Sequence, residues 1–222
     1  RGTACRAPTM GLPCSLGLDA EYSVGYNRVA MQDTALLIVD VQNDFCPGGA
    51  LPVPEGDAVI PVLNAVAEKV ARASGVVIAS RDWHPRTTRH FAEFGGRWPV
   101  HCVQGTPGAE FHPDLQLPEG TIVVSKGTSE QDDGYSAFEG QTEDGRNLQT
   151  VLSGQGIRRL IVGGLATDYC VRASVQGALK HGYEVFMLTD AIRGVNLQHE
   201  DSAKAIAEME SAGAKLVDSQ QI

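Results

Sequence analysis

At 222 residues, 42% hydrophobic and 20% charged, the chain suits one globular domain with a sizeable core and is short for two. Its 18 Lys+Arg against 27 Asp+Glu give a net charge of -9 with no basic stripe, which argues against nucleic acid or an anionic membrane as partner and favours a small neutral or cationic ligand. Five cysteines, at 5, 14, 46, 102 and 170, contain no CxxC pair, so neither a disulfide framework nor a thiolate zinc site is expected, and a reducing cytoplasm fits.

The first 30 residues carry four Gly and two Pro, show neither helical nor strand periodicity, and lack the unbroken apolar core of a secretory signal. They read as a disordered extension ahead of a domain spanning 31–222. From Met31 onward, short β-branched apolar runs predict strands buried on both faces: TALLIVD (34–40), GVVIASRD (75–82), TIVVSK (121–126), RLIVGG (159–164), YEVFMLTD (183–190) and AKLVD (214–218). Three-to-four spacing of apolar residues predicts helices over Asp57–Ala73, Leu148–Gly154, Asp168–His181 and His199–Ala212, with Gly75, Gly154, Gly182 and Gly213 as stop signals. Strand alternating with helix implies an α/β fold, a doubly wound parallel sheet flanked by helices. No run approaches the ~18 apolar residues of a membrane helix.

One connection breaks the rhythm. Residues 83–120 hold five prolines (85, 99, 107, 113, 118) and no regular period, and four of the chain's six histidines lie there. A structureless excursion of that length inside a compact domain is usually functional or a wrong assignment, and the histidines favour function.

Four places offer chemistry. Asp82 and His84, at i and i+2 where the second strand runs out, point to the same side of an extended backbone. His90 and His101 could fold back to complete one carboxylate and three imidazoles, an N/O set for Zn, Fe(II) or Mn and too poor in oxygen for Ca. Singly, each histidine is better explained by surface or core packing. Asp40 closes a buried strand, where desolvation raises a carboxyl toward the range of a proton acceptor, although a capping aspartate reads the same way. Lys126 ends another strand, either as a partner for Asp40 or as a surface lysine. Cys170, in GGLATDYCV, sits one turn into the helix after the fourth strand. There the dipole favours thiolate and free N–H groups could hold an oxyanion, while an inert core cysteine is the other reading. All four places follow the carboxyl ends of separate strands, the edge where open parallel sheets bind ligands.

These segments, ALLIVDVQNDFCPGGAL, RDWHP with HF, WPVHCVQGTPGAEFHP, VVSKGT, DGYSAF and GGLATDYCV, resemble the nicotinamidases of the isochorismatase-like cysteine hydrolases in the family's own order across most of residues 31–190. The resemblance implies a six-stranded parallel sheet in the order 3-2-1-4-5-6. It makes Asp40, Lys126 and Cys170 the catalytic triad, and Asp82, His84, His90 and His101 the ligands of one divalent metal, zinc foremost, with Fe and Mn as alternatives. It implies a cis Leu165–Ala166 peptide, oxyanion donors at Ala166 and Cys170, and a pyridine pocket lined by Phe45, Trp98 and Tyr135. Cys46 and Cys102 match no functional position and read as packing residues. The implied reaction converts nicotinamide to nicotinate and ammonia through a thioester, with pyrazinamide as a further substrate. A related amide or ureido hydrolase, or a non-catalytic metal-binding or ligand-binding relative, are the rival readings, and a homo-oligomer is left open.

Overall fold

The computed structural model describes Gly2 and residues 31–222. The expectation of a disordered extension therefore falls outside the described residues.

Six parallel strands form one sheet: β1 (Thr34–Val39), β2 (Val76–Asp82), β3 (Ile122–Lys126), β4 (Arg159–Leu165), β5 (Glu184–Arg193) and β6 (Lys215–Val217), in the order β3-β2-β1-β4-β5-β6. The apolar runs become strands because an interior parallel strand is covered on both faces, and every residue of β1 is buried. Alternate side chains serve the two faces. Leu36 and Ile38 join one core with Leu63, Val66 and Val70 of α1 (Ile60–Arg72). Ala35, Leu37 and Val39 join the other with α2 (Leu148–Gly154), α3 (Arg172–Lys180) and α4 (Asp201–Ser211). Each fully buried Leu or Ile here contributes about 1.5–3 kcal/mol of transfer free energy.

The helices differ from expectation at their ends. Gly56–Val59 winds as a 3-10 turn before α1, whose Pro61 occupies the first turn, where no N–H is needed. Ser74 rather than Gly75 takes the left-handed position after α1. Gly154 still belongs to α2, and the left-handed residue there is Gly156. The helix expected from Asp168 starts as α3 only at Arg172, and Thr167–Val171 forms a π-turn ahead of it. β5 continues to Arg193 because the β4–β5 register shifts between Val162 and Gly164, which brings Leu165 opposite Arg193.

The excursion between β2 and β3 is irregular as expected, with short 3-10 turns at Ala92–Phe94 and Pro107–Ala109 and isolated bridges His84 to Val103 and Phe91 to Trp98. The strand order reverses between β1 and β4, so the crevice beyond their carboxyl ends is where this architecture holds ligands. Among the described residues no helix is long and apolar enough to cross a membrane.

Candidate active site

Asp40 directly follows β1 with a left-handed backbone (φ 50°), its N–H donating to Ser80 O at 3.2 Å. The Ser80 hydroxyl donates to Oδ1 at 2.7 Å, and Lys126 Nζ lies 2.7 Å from Oδ2. That ion pair lies outside hydrogen-bonding angles, so Oδ2 keeps acceptor capacity. Asp82 and Lys126 are register partners at the ends of β2 and β3. The Lys126 ammonium donates to Asp82 Oδ1 and to Gly134 O (2.7 Å), and reaches Cys170 Sγ at 3.4 Å. Asp40, Asp82 and Cys170 thus bring ligand-type atoms within 4.8 Å of one another, and the cation they surround is this ammonium. Lys126 and Asp40 are completely buried, a placement that ionised groups tolerate only when paired this closely.

Burial sets the proton affinities. It pushes the Asp40 carboxyl up to about 6, with Lys126 pulling the other way. Burial would raise Asp82 too, but the Lys126 charge holds it well below the usual carboxylate range. Burial disfavours the Lys126 cation, yet Asp40 and Asp82 more than offset this and hold it charged well beyond the usual lysine range. The Cys170 thiol is pushed well above the usual thiol range by burial, against the pull of Lys126. Burial thus opposes the pull of the dipole toward thiolate and agrees with Asp40 as the acceptor of the thiol proton. The residue sits in a buried π-turn beside two carboxylates, and desolvation outweighs the helix dipole. The nucleophile rests as a thiol with its acceptor alongside.

On the far side of Asp82 stand His84, His90 and His101, each presenting a ring nitrogen within 4.8 Å of the others. Asp82 Oδ2 lies 3.6 Å from His84 Nε2 and 3.9 Å from His101 Nε2, so this carboxylate faces the lysine with one oxygen and the imidazoles with the other. Every Nδ1 has an outer acceptor: Gly127 O for His84 (3.1 Å), Asp133 Oδ1 for His90 (3.5 Å) and Pro99 O for His101 (2.7 Å). Those acceptors favour the Nδ1–H tautomer and turn the Nε2 lone pairs inward. Burial pushes His90 down to about 4 and also lowers His101, so both are neutral at pH 7. His84 Nε2 is buried without a hydrogen-bond partner. An orphaned imidazole nitrogen, two neutral imidazoles beside it and a carboxylate oxygen fit a divalent cation.

A narrow cavity of about 30 Å³ joins the two halves, touching Cys170 and Ala166 at one end and Asp82, His90 and His101 at the other. Phe45, Trp98 and Tyr135 line it. Trp98 Nε1 donates to the Tyr135 hydroxyl at 2.9 Å, and the Phe45 ring lies 5.4 Å from that of His101. The Leu165–Ala166 peptide is cis. Cys46 and Cys102 are buried in the core that packs on α1, as packing residues should be.

An isochorismatase domain model matches residues 34–221. The chain belongs to the isochorismatase family. Within that family, a nicotinamidase of Escherichia coli (strain K12) is 44% identical across 84% of this chain and 95% of its own. A pyrazinamidase of Pyrococcus horikoshii, solved in complex with zinc, is 48% identical and superposes with a TM-score of 0.78 over 84% of this chain and 99% of its own. PnC1 from L. infantum, solved in complex with nicotinate, is 35% identical, with a TM-score of 0.77 over 86% of this chain and 96% of its own.

Several residues of this isochorismatase-family site escape a reading of the sequence. Gln42, buried in VQNDF, pins Asp82 by donating to its carbonyl and accepting from its N–H, both at 2.8 Å. Ser80 and Gly134 serve Asp40 and Lys126 as described. Tyr169 lines the cavity, edge-on to Trp98 at 4.8 Å. A polar residue closely following an apolar run was the only signal for Gln42, and Tyr169 had none beyond its place beside Cys170.

Proposed function

We propose that this chain is a metal-dependent nicotinamidase, with Asp40, Lys126 and Cys170 as its catalytic residues. The observation that carries the reading is the placement: a thiol with its acceptor and a three-imidazole cluster open onto one cavity walled by the aromatic rings of Phe45, Trp98 and Tyr135. The relatives named as nicotinamidase and pyrazinamidase support the same substrate class. A divalent ion held by Asp82, His84, His90 and His101, zinc foremost and Fe or Mn as alternatives, would supply an electrophilic anchor for a ring nitrogen.

The protein's own groups then carry the reaction. Phe45, Trp98 and Tyr135 hold the ring so that the carboxamide carbon meets Cys170. Asp40 accepts the thiol proton through Oδ2 as the sulfur adds to that carbon, and the Ala166 and Cys170 amides donate to the oxyanion. Collapse breaks the C–N bond, Asp40 returns the proton to departing ammonia, and a thioester remains. Water loses a proton to Asp40 and adds to the thioester. The second collapse breaks the C–S bond, Asp40 reprotonates the sulfur, and nicotinate leaves. Throughout, the Lys126 ammonium balances the charge that moves between Asp40 and Cys170.

Pyrazinamide has the same carboxamide and ring-nitrogen spacing and is proposed as a second substrate. The free, buried cysteines at 46, 102 and 170 suit a reducing compartment, and we place the enzyme in the cytoplasm. The test is incubation with nicotinamide, monitoring ammonia, beside elemental analysis of the same sample purified without chelators. Ammonia release from a metal-loaded protein is expected. Inertness toward both amides defeats the reading, and turnover without metal points instead to a related amide or ureido hydrolase.

A further inference from the structure

Asp168 stands two residues before Cys170, is 3% exposed, and takes no part in the chemistry above. Its two oxygens each accept a main-chain hydrogen bond from the turn after β5: Oδ1 from Val195 N at 2.9 Å, Oδ2 from Asn196 N at 2.8 Å. Asn196 holds a left-handed backbone (φ 52°). Its side-chain oxygen accepts from Ser202 N at 2.9 Å, tying the same turn to α4. At Gly194 a Cβ would overlap the Ser202 hydroxyl and come within 3.0 Å of Asp168 Oδ1, so the backbone passes between the two with no room to spare. The turn presents Val195 to the cavity that also holds Cys170 and the imidazoles.

An exposed turn can shift unless something holds it, and two main-chain hydrogen bonds to a buried carboxylate supply that hold. We infer that Asp168 is a positioning residue: it clasps the Val195–Asn196 backbone to the nucleophile's turn, so that Val195 closes one side of the cavity and sets the fit of the substrate ring. The inference rests on the reading of that cavity as the nicotinamide pocket. It separates two duties within one short segment, Cys170 making the bond and Asp168 shaping the wall.

The test compares the metal-loaded wild type with Asp168→Asn and Val195→Ala. An amide keeps one acceptor and turns a donor toward the second N–H, so Asp168→Asn releases half of the clasp with almost no change of volume. For Asp168→Asn, KM for nicotinamide rises by about fivefold or more, while kcat and the rate at which iodoacetamide labels Cys170 stay within about fivefold of wild type. Any other pattern overturns the inference, above all a loss of kcat and labelling at unchanged KM, which would make Asp168 part of the nucleophile's own scaffold. Should Asp168→Asn not fold, Val195→Ala decides alone: a KM raised by about fivefold or more sustains the inference, and a smaller change overturns it. Absence of wild-type turnover is seen before any variant is compared, and it sinks the pocket reading and this inference together.

Discussion

Cys170 and Asp40 divide the work at the scale of single residues, and their burial makes that division measurable. Because the thiol rests protonated, its reactivity depends on Asp40 being ionised. Below about pH 6 the carboxyl carries its own proton and accepts no other, so kcat/KM should fall about tenfold per pH unit on the acid side of 6 and level off above it. The imidazoles behave differently, since His90 gains a proton only near 4. Metal content measured across the same pH range should therefore hold at pH 5, where turnover is already falling, and parallel loss of both would refute the assignment of the limb to Asp40. Removing the sulfur separates the two halves of the site again. Cys170→Ala should lower turnover by about 10⁴-fold or more while binding metal as wild type does, checked by ammonia release and elemental analysis.

Elements explain why some of this was legible in the sequence and some was not. Strands were legible because apolar, β-branched runs report burial on both faces directly, and Asp40, Asp82 and Lys126 could be placed at their ends. Register is not legible: nothing in SRD or VSK says that Asp82 and Lys126 stand opposite each other, so the sequence offers Asp40 as a partner for the lysine and gives no sign of the second carboxylate. The π-turn at Thr167–Val171 was likewise invisible, since the three-to-four spacing of α3 runs smoothly into it. Loop glycines carried a signal that only contacts decode. Gly134 has a left-handed backbone (φ 66°), and a Cβ there would overlap the Gly127 main chain, whose carbonyl receives His84 Nδ1. Gly134 O in turn accepts from Lys126. Gly134→Ala should thus force apart the two loops that orient the lysine and the first imidazole, with a cost of about 1–3 kcal/mol from backbone strain. A lower urea midpoint together with weaker metal retention against a chelator is expected. A variant as stable and as metal-retentive as wild type would show that the close approach is dispensable.

In the molecule as a whole, one rigid sheet carries one irregular arm, and the site is where they meet. Asp82 and His84 lie at or just beyond the end of β2, whereas His90 and His101 sit on the long excursion, whose backbone has only short 3-10 turns and isolated bridges of its own. A cation bound to all four side chains would staple that arm to the sheet edge, and an ion that binds only the folded state stabilises it by mass action. At a free metal concentration of about 100 times Kd the gain is about 2.7 kcal/mol, which for a domain of this size corresponds to a midpoint shift of roughly 5–10 °C. Stripping the metal with a chelator should lower the thermal midpoint by that amount, and restoring zinc should recover it. Location matters as much as size. The six strands keep their ladders and buried faces without metal, so their amides should stay protected while hydrogen exchange rises across 83–121, the arm that loses its staple. A uniform loss of protection over sheet and arm would mean that the cation stabilises the whole fold and that the arm has no independent opening. Exchange left unchanged in both would mean that packing of Phe91, Trp98 and Cys102, all buried, already fixes the arm before any metal arrives.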